Sequence, residues 1–188
     1  SAAFGLMGQH AQYVYVPYEE AVGHMDKHHV QGILAFSSIH RPGNSDHLSE
    51  PLVTRDFVVV TLAGNQETIG KREDLGKLKA GIHPDILEVL EPQLKEAFKG
   101  TGSLQEVSNY VLLSSMLFTG AIDALITEKS IFTHSLGSVP GDAQPSQPVK
   151  FYRLFDPVYP KISFANKMLR DRFNDAWKEI VKAEPDRK

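Results

Sequence analysis

The segment Phe118–Glu128, which reads FTGAIDALITE, constrains the fold of this chain more than any other. The apolar run before it has the length of a buried helix, and Gly120 marks the end of that helix because glycine adopts the left-handed capping conformation without a Cβ clash. The next residues, Ile122–Ile126, form a short apolar run bounded by turn signals, which is typical of a strand buried on both faces in a parallel sheet. Thr127 and Glu128 would then lie at the carboxyl end of that strand, where open α/β sheets bind ligands.

The same pattern occurs earlier in the chain. His29–Leu34 matches Ala121–Ile126 position by position, with a polar residue, a tiny residue and two aliphatic residues in the same order. An amphipathic stretch, Tyr18–Lys27, precedes the first copy as a helix precedes the second. Two such helix-turn-strand units, with no tandem repeats between them, indicate two similar α/β lobes rather than a solenoid.

Composition excludes several classes of function. The chain has 188 residues, enough for one domain or two small ones with a buried core. A net charge of -3 without a basic run disfavours nucleic acid as a partner. The absence of cysteine excludes disulfides, thiolate metal sites and cysteine nucleophiles. No apolar run reaches the ~18 residues of a membrane span, and the start of the chain lacks the features of a secretory signal.

Periodicity and turn signals predict the order βαβ, a long loop, ββαβαβα and ββα. The predicted strands are Gln12–Val16, Val30–Phe36, Arg55–Ala63, Lys77–Ile82, Ser103–Val107, Ile122–Ile126, Val149–Phe155 and Lys161–Ala165. The predicted helices are Tyr18–Lys27, Pro84–Lys99, Asn109–Thr119, Thr127–Leu136 and Lys167–Ala183.

This order also predicts a division of the chain. The chain would enter a second lobe near Phe57 and leave it near Phe155. We therefore expect lobe 1 to comprise residues 1–56 plus 156–188 and lobe 2 to comprise residues 57–155, with hinge strands near 53–60 and 150–157.

Four phrases along the chain resemble those of a known family: Leu48–Leu52, Glu73–Lys77, Thr119–Ala124 and Leu169–Ala176. Their order and spacing are similar to those of the periplasmic solute-binding proteins of amino-acid-type ABC transporters, which include related extracytoplasmic sensor domains. The resemblance covers nearly the whole chain. It implies a two-lobed α/β fold, periplasmic-binding-protein-like (type II). No counterpart of the family's first strand is present, so we expect the first lobe to lack its N-terminal strand and N-terminal sequence to be missing.

The resemblance also implies a function. Such a protein closes on a small polar solute, amino-acid-like or a small carboxylate or amine, without covalent chemistry, cofactor or metal. Its partners would be an ABC permease or the signalling portion of a membrane receptor, and its location periplasmic or extracytoplasmic.

The implied binding residues come from three places in the sequence. Glu128 stands at the acidic position that holds the ammonium group of the ligand. Ser37, Ser38 and Arg41 follow the first-lobe strand and correspond to residues that hold the ligand carboxylate. This role suits a guanidinium group, which forms paired charge-assisted hydrogen bonds.

The third place, His83-Pro84-Asp85, departs from the family. It falls on the helix start that normally binds an anion, but Asp85 would repel a carboxylate there. His83 and Asp85 also have the spacing of an acid-base pair, so a catalytic member of the same fold, dehydratase- or lyase-like, is an alternative. A degenerate interaction domain that binds no ligand is another.

Other candidate sites are weaker. His24 and His28 share a helix face, but a metal site needs a further ligand that the sequence does not identify. The chain has no Gly-x-Ser-x-Gly, P-loop or Rossmann glycine motif, so we expect no enzyme. Asp123 is expected to be a structural turn residue.

Overall fold

The computed structural model describes residues 2–16, 18–27, 29–35, 47–99, 102–143 and 145–183. The helices are α1 (Ala2–Leu6), α2 (Tyr18–Asp26), α3 (Pro84–Ala97), α4 (Tyr110–Phe118), α5 (Lys129–Leu136) and α6 (Lys167–Ala183). The strands are β1 (Gly32–Ala35), β2 (Phe57–Leu62), β3 (Lys79–Ile82), β4 (Ser103–Glu106), β5 (Ala124–Glu128), β6 (Val149–Tyr152) and β7 (Lys161–Phe164). Short 3-10 helices cover Arg72–Lys77 and Gly141–Ala143. The chain divides into two compact units: unit 1 is Ser1–Arg55 with Val158–Lys188, and unit 2 is Asp56–Pro157.

Unit 2 contains a five-stranded sheet in the order β4-β3-β5-β2-β6. Strand β3 pairs in parallel with β4 and β5, whereas β2 pairs antiparallel with β5 and β6. The parallel pairing predicted for the strand after Gly120 is therefore found between β5 and β3, whereas the other neighbour of β5, strand β2, runs antiparallel to it. A strand buried on both faces has the same continuous apolar pattern in either direction, so its direction depends on which edge it pairs with.

The core of unit 2 is formed by the sheet and the helices packed on it. Strand β2 is buried along Phe57–Thr61. Helix α3 buries Ile86, Leu90 and Leu94 at helical spacing. Gly81 allows β3 to approach its neighbours, since a Cβ there would lie 2.7 Å from Ile122 Cδ1. Burial of each of these large aliphatic side chains stabilises the fold by ~1.5–3 kcal/mol.

Unit 1 is built on a two-stranded antiparallel sheet of β1 and β7. Helix α6 packs on it together with α1, and the resulting cluster contains Ala3, Phe164, Leu169, Phe173, Ala176 and Ile180. The Oδ1 of Asn166 accepts from the N–H of Leu169 at 2.9 Å at the start of α6, and Trp177 Nε1 donates to the carbonyl of Pro51 at 3.0 Å. The predicted amphipathic helix Lys167–Ala183 is confirmed.

One predicted strand is absent. Gln12–Val16 has no strand pairing with any described residue, and the side chains of Tyr13, Val14 and Tyr15 within it are 62%, 60% and 93% exposed. Alternation and β-forming residues favour a strand only if an edge is available to pair with. In unit 1, the described sheet consists of β1 and β7 alone.

The predicted segment Ile122–Ile126 is shifted along the chain. Strand β5 begins at Ala124 and continues through Glu128, so the predicted helix Thr127–Leu136 begins only at Lys129. The extension is explained by pairing, because Glu128 lies opposite Phe57 in the β2–β5 ladder. Gly120 ends α4 with φ at 74°, in the left-handed region predicted for it.

Candidate functional site

The carboxyl ends of β3, β4 and β5 meet at one edge of the unit 2 sheet, which we call the carboxyl edge. Ile82 at the end of β3 lies opposite Glu106 of β4 and Ile126 of β5. Each strand is followed within a few residues by a helix: α3, α4 and α5 respectively. The positive ends of three helix dipoles and the side chains around them are therefore collected at this edge, where α/β sheets bind ligands.

His83 is held in a fixed orientation at the carboxyl edge. It is the N-cap of α3, and its Nδ1 accepts a hydrogen bond from the backbone N–H of Asp85 at 3.2 Å. Its ring stacks on Tyr110, the first residue of α4, with centroids 4.1 Å apart and planes 14° from parallel. Only 13% of the side chain is exposed. Because Nδ1 accepts, the neutral ring carries its proton on Nε2, which is then a hydrogen-bond donor.

The first turn of α3 has no free backbone donor for an anion. Asp85 N–H donates to His83 Nδ1, and the N–H groups of Ile86 and Leu87 both donate to the carbonyl of His83 at 3.0 Å. Pro84 has no N–H. The carboxylate of Asp85 adds a negative charge there, and its side chain is 81% exposed. This arrangement disfavours a ligand carboxylate at the start of α3.

Glu128 ends β5 at the same edge. It is half-buried, and its Oε1 accepts a hydrogen bond from Ser130 Oγ at 3.0 Å, which orients the carboxylate. The preceding residue, Thr127, is buried. The structure thus places Glu128 at the carboxyl end of a central strand, next to the strand that leads to His83.

The strand ends at the carboxyl edge carry several carboxylates. Asp56 precedes β2, Asp85 follows β3, Glu106 ends β4 and Glu128 ends β5. Basic residues lie near the β2 and β6 side: Arg55 precedes Asp56, Arg153 follows β6, and Arg72 donates to the carbonyl of Leu154. The ammonium of Lys129, the residue after Glu128, lies 5.2 Å from the centre of the Phe151 ring in a cation-π contact. The ends of β3, β4 and β5 are therefore better suited to a cationic group than to an anionic one.

Asp123 lies at the opposite, amino end of β5 and has a structural role. Its N–H donates to the carbonyl of Lys79 at 2.7 Å, and its Oδ2 accepts from the N–H of Lys79 at 2.8 Å. These two hydrogen bonds align the starts of β3 and β5, as expected of a structural turn residue.

A depression of about 580 Å³ lies beside Asp123 at this amino end. Two of its polar side chains are engaged within the protein: Asn65 Nδ2 donates to the carbonyl of Asp123, and Gln147 Nε2 donates to that of Phe118. Because ligands of α/β sheets bind at the carboxyl ends of the strands, we assign the candidate site to the carboxyl edge.

The predicted carboxylate-binding residues Ser37, Ser38 and Arg41 lie outside the described residues. Their role stays a prediction. Of the predicted site residues, the structure brings His83, Asp85 and Glu128 to one edge of one sheet.

Two residues at this edge were missed by sequence reasoning. Asn109 caps α4, with its Oδ1 accepting from the N–H of Leu112 at 2.9 Å. An asparagine just before an apolar helical run is a capping signal, so this residue was recognisable in the sequence. The stacking of Tyr110 on His83 has no such signal, since it joins residues from two helices.

Comparison with known proteins identifies the fold. No family profile and no curated protein matches the sequence. Among solved structures, the chain is similar to an ancestral arginine-binding protein bound to arginine, with 18% identity, a TM-score of 0.68 and coverage of 99% of this chain and 80% of that one. It is similar to the substrate-binding protein of an amino acid ABC transporter, with 17% identity, a TM-score of 0.62 and coverage of 97% and 79%.

A third similar structure is a histidine kinase sensor domain with similarity to periplasmic binding proteins, with 14% identity, a TM-score of 0.64 and coverage of 99% and 78%. At these identities the similarity establishes the fold. The chain has the two-lobed α/β fold of type II periplasmic binding proteins.

Proposed function

We propose that this protein binds a small, amino-acid-like solute and that Glu128 contacts the cationic group of that solute. The observation that carries the proposal is the position of Glu128 at the carboxyl end of β5, half-buried and oriented by Ser130. The other carboxylates of the carboxyl edge add to the negative potential there. A desolvated carboxylate binds an ammonium group through a charge-assisted hydrogen bond, which is stronger than a neutral one.

The anionic group of the solute is assigned to another part of the chain. The start of α3 offers it no free N–H group and carries the charge of Asp85. The proposal therefore gives the carboxylate to Arg41 with Ser37 and Ser38. His83 contributes its Nε2–H donor from the end of β3.

We further propose that binding is non-catalytic and occurs by closure of two lobes, residues 1–56 with 156–188 and residues 57–155. The hinge would comprise residues near 53–60 and 150–157, where Arg55 and Val158 already exchange backbone hydrogen bonds of 2.9 and 3.1 Å. A ligand that binds the closed form more tightly shifts the protein towards that form, and the change of conformation transmits the binding event.

The proposed setting is extracytoplasmic, with delivery to an ABC permease or signalling through a membrane receptor. Similar folds occur in an ABC transporter's substrate-binding protein and in a sensor domain. In the described part of the chain, no helix combines the length and the apolar character that crossing a membrane requires.

A thermal-shift screen against amino acids, small carboxylates and polyamines tests the proposal, because a ligand that binds only the folded state raises the melting temperature. The affinity of the best ligand is then measured by calorimetry. Glu128→Gln should weaken binding at least about tenfold, since it removes one partner of a buried charged pair.

Glu91→Gln is the matched control, because Glu91 is an exposed carboxylate in the body of α3. It should leave the affinity unchanged. A screen without any stabilising compound, or a Glu128→Gln variant that binds as tightly as the wild type, would contradict the proposal.

A further inference from the structure

One edge of strand β1 has no strand partner in the described part of the chain. The strand pairs with β7 from Gly32 opposite Phe164 to Ala35 opposite Lys161, and its other edge pairs with no described residue. An exposed edge presents unpaired N–H and C=O groups that can accept another strand.

Gln12–Val16 has the sequence of a strand and pairs with no described strand. Its residues alternate in the manner of a strand, yet they make no backbone hydrogen bond within the described part of the chain. Tyr13, Val14 and Tyr15 are 62%, 60% and 93% exposed. Three consecutive apolar side chains in solvent are unusual for a protein surface that has no binding partner.

Exposed apolar side chains are concentrated on unit 1. Eight of the ten large ones among the described residues belong to it: Leu6, Tyr13, Val14, Tyr15, Leu34, Val53, Tyr159 and Met168. Unit 1 is the smaller of the two units, so this concentration indicates that part of its surface is covered in the assembled protein.

The two faces of Gln12–Val16 match the two faces of β1. Val16 packs against the buried cluster of Met25 and Ile33, which belongs to one face of β1. In a strand, Val14 would share this face and the two tyrosines would share the other, where Leu34 is 51% exposed. Pairing would thus join aliphatic side chains on one face and place tyrosines beside Leu34 on the other.

From these observations we propose that two copies of this chain associate by strand exchange: Gln12–Val16 of each copy pairs with that edge of β1 of the other. In the exchange, Val16 of each copy takes on the partner's Met25–Ile33 cluster the place that it holds here on the cluster of its own chain, and a two-fold axis beside the edge of β1 relates the two segments. In both copies the exchange gives a strand partner to Gln12–Val16 and to the edge of β1. The same interface is used by both copies, as a two-fold dimer requires.

Light scattering coupled to size-exclusion chromatography, over a wide range of protein concentration, measures the association directly. The wild type should be dimeric at high concentration, and its melting temperature should rise with concentration. Val14→Pro removes a ladder N–H from a segment that is unpaired in the single chain. The variant should therefore stay folded and become monomeric.

Two further measurements separate the explanations. Met168→Ser removes another exposed apolar side chain of unit 1, 71% exposed, and should leave the dimer intact. Hydrogen exchange should show protection of the amides of residues 12–16 and 32–35 in the wild-type dimer. A monomer at all concentrations, a dimer that survives Val14→Pro, or amides of residues 12–16 that are protected in a monomer would each overturn the proposal.

Discussion

The ring of His83 stacks on the ring of Tyr110, with the two ring planes 14° from parallel and the centroids 4.1 Å apart. The contact joins the starts of α3 and α4, two helices that follow the parallel neighbours β3 and β4. It therefore fixes the position of the imidazole relative to the carboxyl edge of the sheet.

We expect His83 and Tyr110 to be energetically coupled. Stacked aromatic pairs contribute ~0.5–1.5 kcal/mol beyond the area they bury. A double-mutant cycle of His83→Ala and Tyr110→Ala, measured by urea unfolding, should give a coupling energy of that size. His83→Ala combined with Asn65→Ala should be additive, because Asn65 lies beside Asp123 at the amino end of β5, at the opposite end of the same sheet. Additivity of the first pair would mean that the stack contributes nothing to stability.

Gly102→Ala should destabilise the protein strongly. An added Cβ would lie 2.6 Å from the carbonyl oxygen of Leu78 and 2.8 Å from the carbonyl carbon of Gly76, and these are backbone atoms that move only if the segment leading into β3 shifts. We expect a loss of ~1–3 kcal/mol in the free energy of unfolding. Gly64→Ala is the control, because its added Cβ meets nothing within 4 Å. Equal unfolding midpoints for the two variants would be inconsistent with this packing.

Asp74 should make stability depend on pH in the acid range. Hydrogen bonds from the backbone N–H groups of Gly70 and Lys71 lower the pKa of its carboxyl from 3.8. Since the folded-state pKa is the lower one, the stabilisation is fully present above pH 3.8 and is lost as the pH falls through the folded-state pKa.

The measurement is the melting temperature of the wild type and of Asp74→Asn as a function of pH. The difference should be largest above about pH 4 and should shrink below it. Glu73→Gln, which removes the neighbouring charge and none of these hydrogen bonds, should show the weaker dependence on pH. A constant difference for Asp74→Asn would contradict the assignment.

Incubation with the best ligand of the screen distinguishes binding from catalysis. For a binding protein, mass spectrometry should recover the ligand unchanged after prolonged incubation. His83→Ala should then weaken binding less than Glu128→Gln, because the proposed charge-assisted contact of Glu128 with the cationic group is retained in the His83 variant. Conversion of the ligand by the wild type, abolished by His83→Ala or Asp85→Asn with little loss of binding, would instead identify an enzyme.

Several elements follow from local sequence alone. Gly120 adopts the positive φ predicted from its position after an apolar helix, and α6 buries the face of Leu169, Phe173 and Ile180 that its periodicity predicts. The start of α3 follows from Pro84 at its first position. These signals act over a few residues, so no distant contact is needed to interpret them.

The candidate site was only partly predictable. The sequence placed Glu128 near the end of a strand because the apolar run before it is short and is bounded by turn signals. Its exact register was not predictable, since β5 continues to Glu128 by pairing with Phe57. Likewise, the occupation of every N–H group in the first turn of α3 became visible only in the folded backbone.

The sequence by itself determined where most helices and buried strands lie, because periodicity, caps and turn residues are local properties. The tertiary structure decided the rest: the antiparallel direction of β2, the unpaired state of Gln12–Val16 and the stacking of His83 on Tyr110. Each of these depends on a partner distant in sequence. A continuous apolar run such as that of β2 fits either strand direction, and an alternating segment such as Gln12–Val16 forms a strand only where another strand offers its edge.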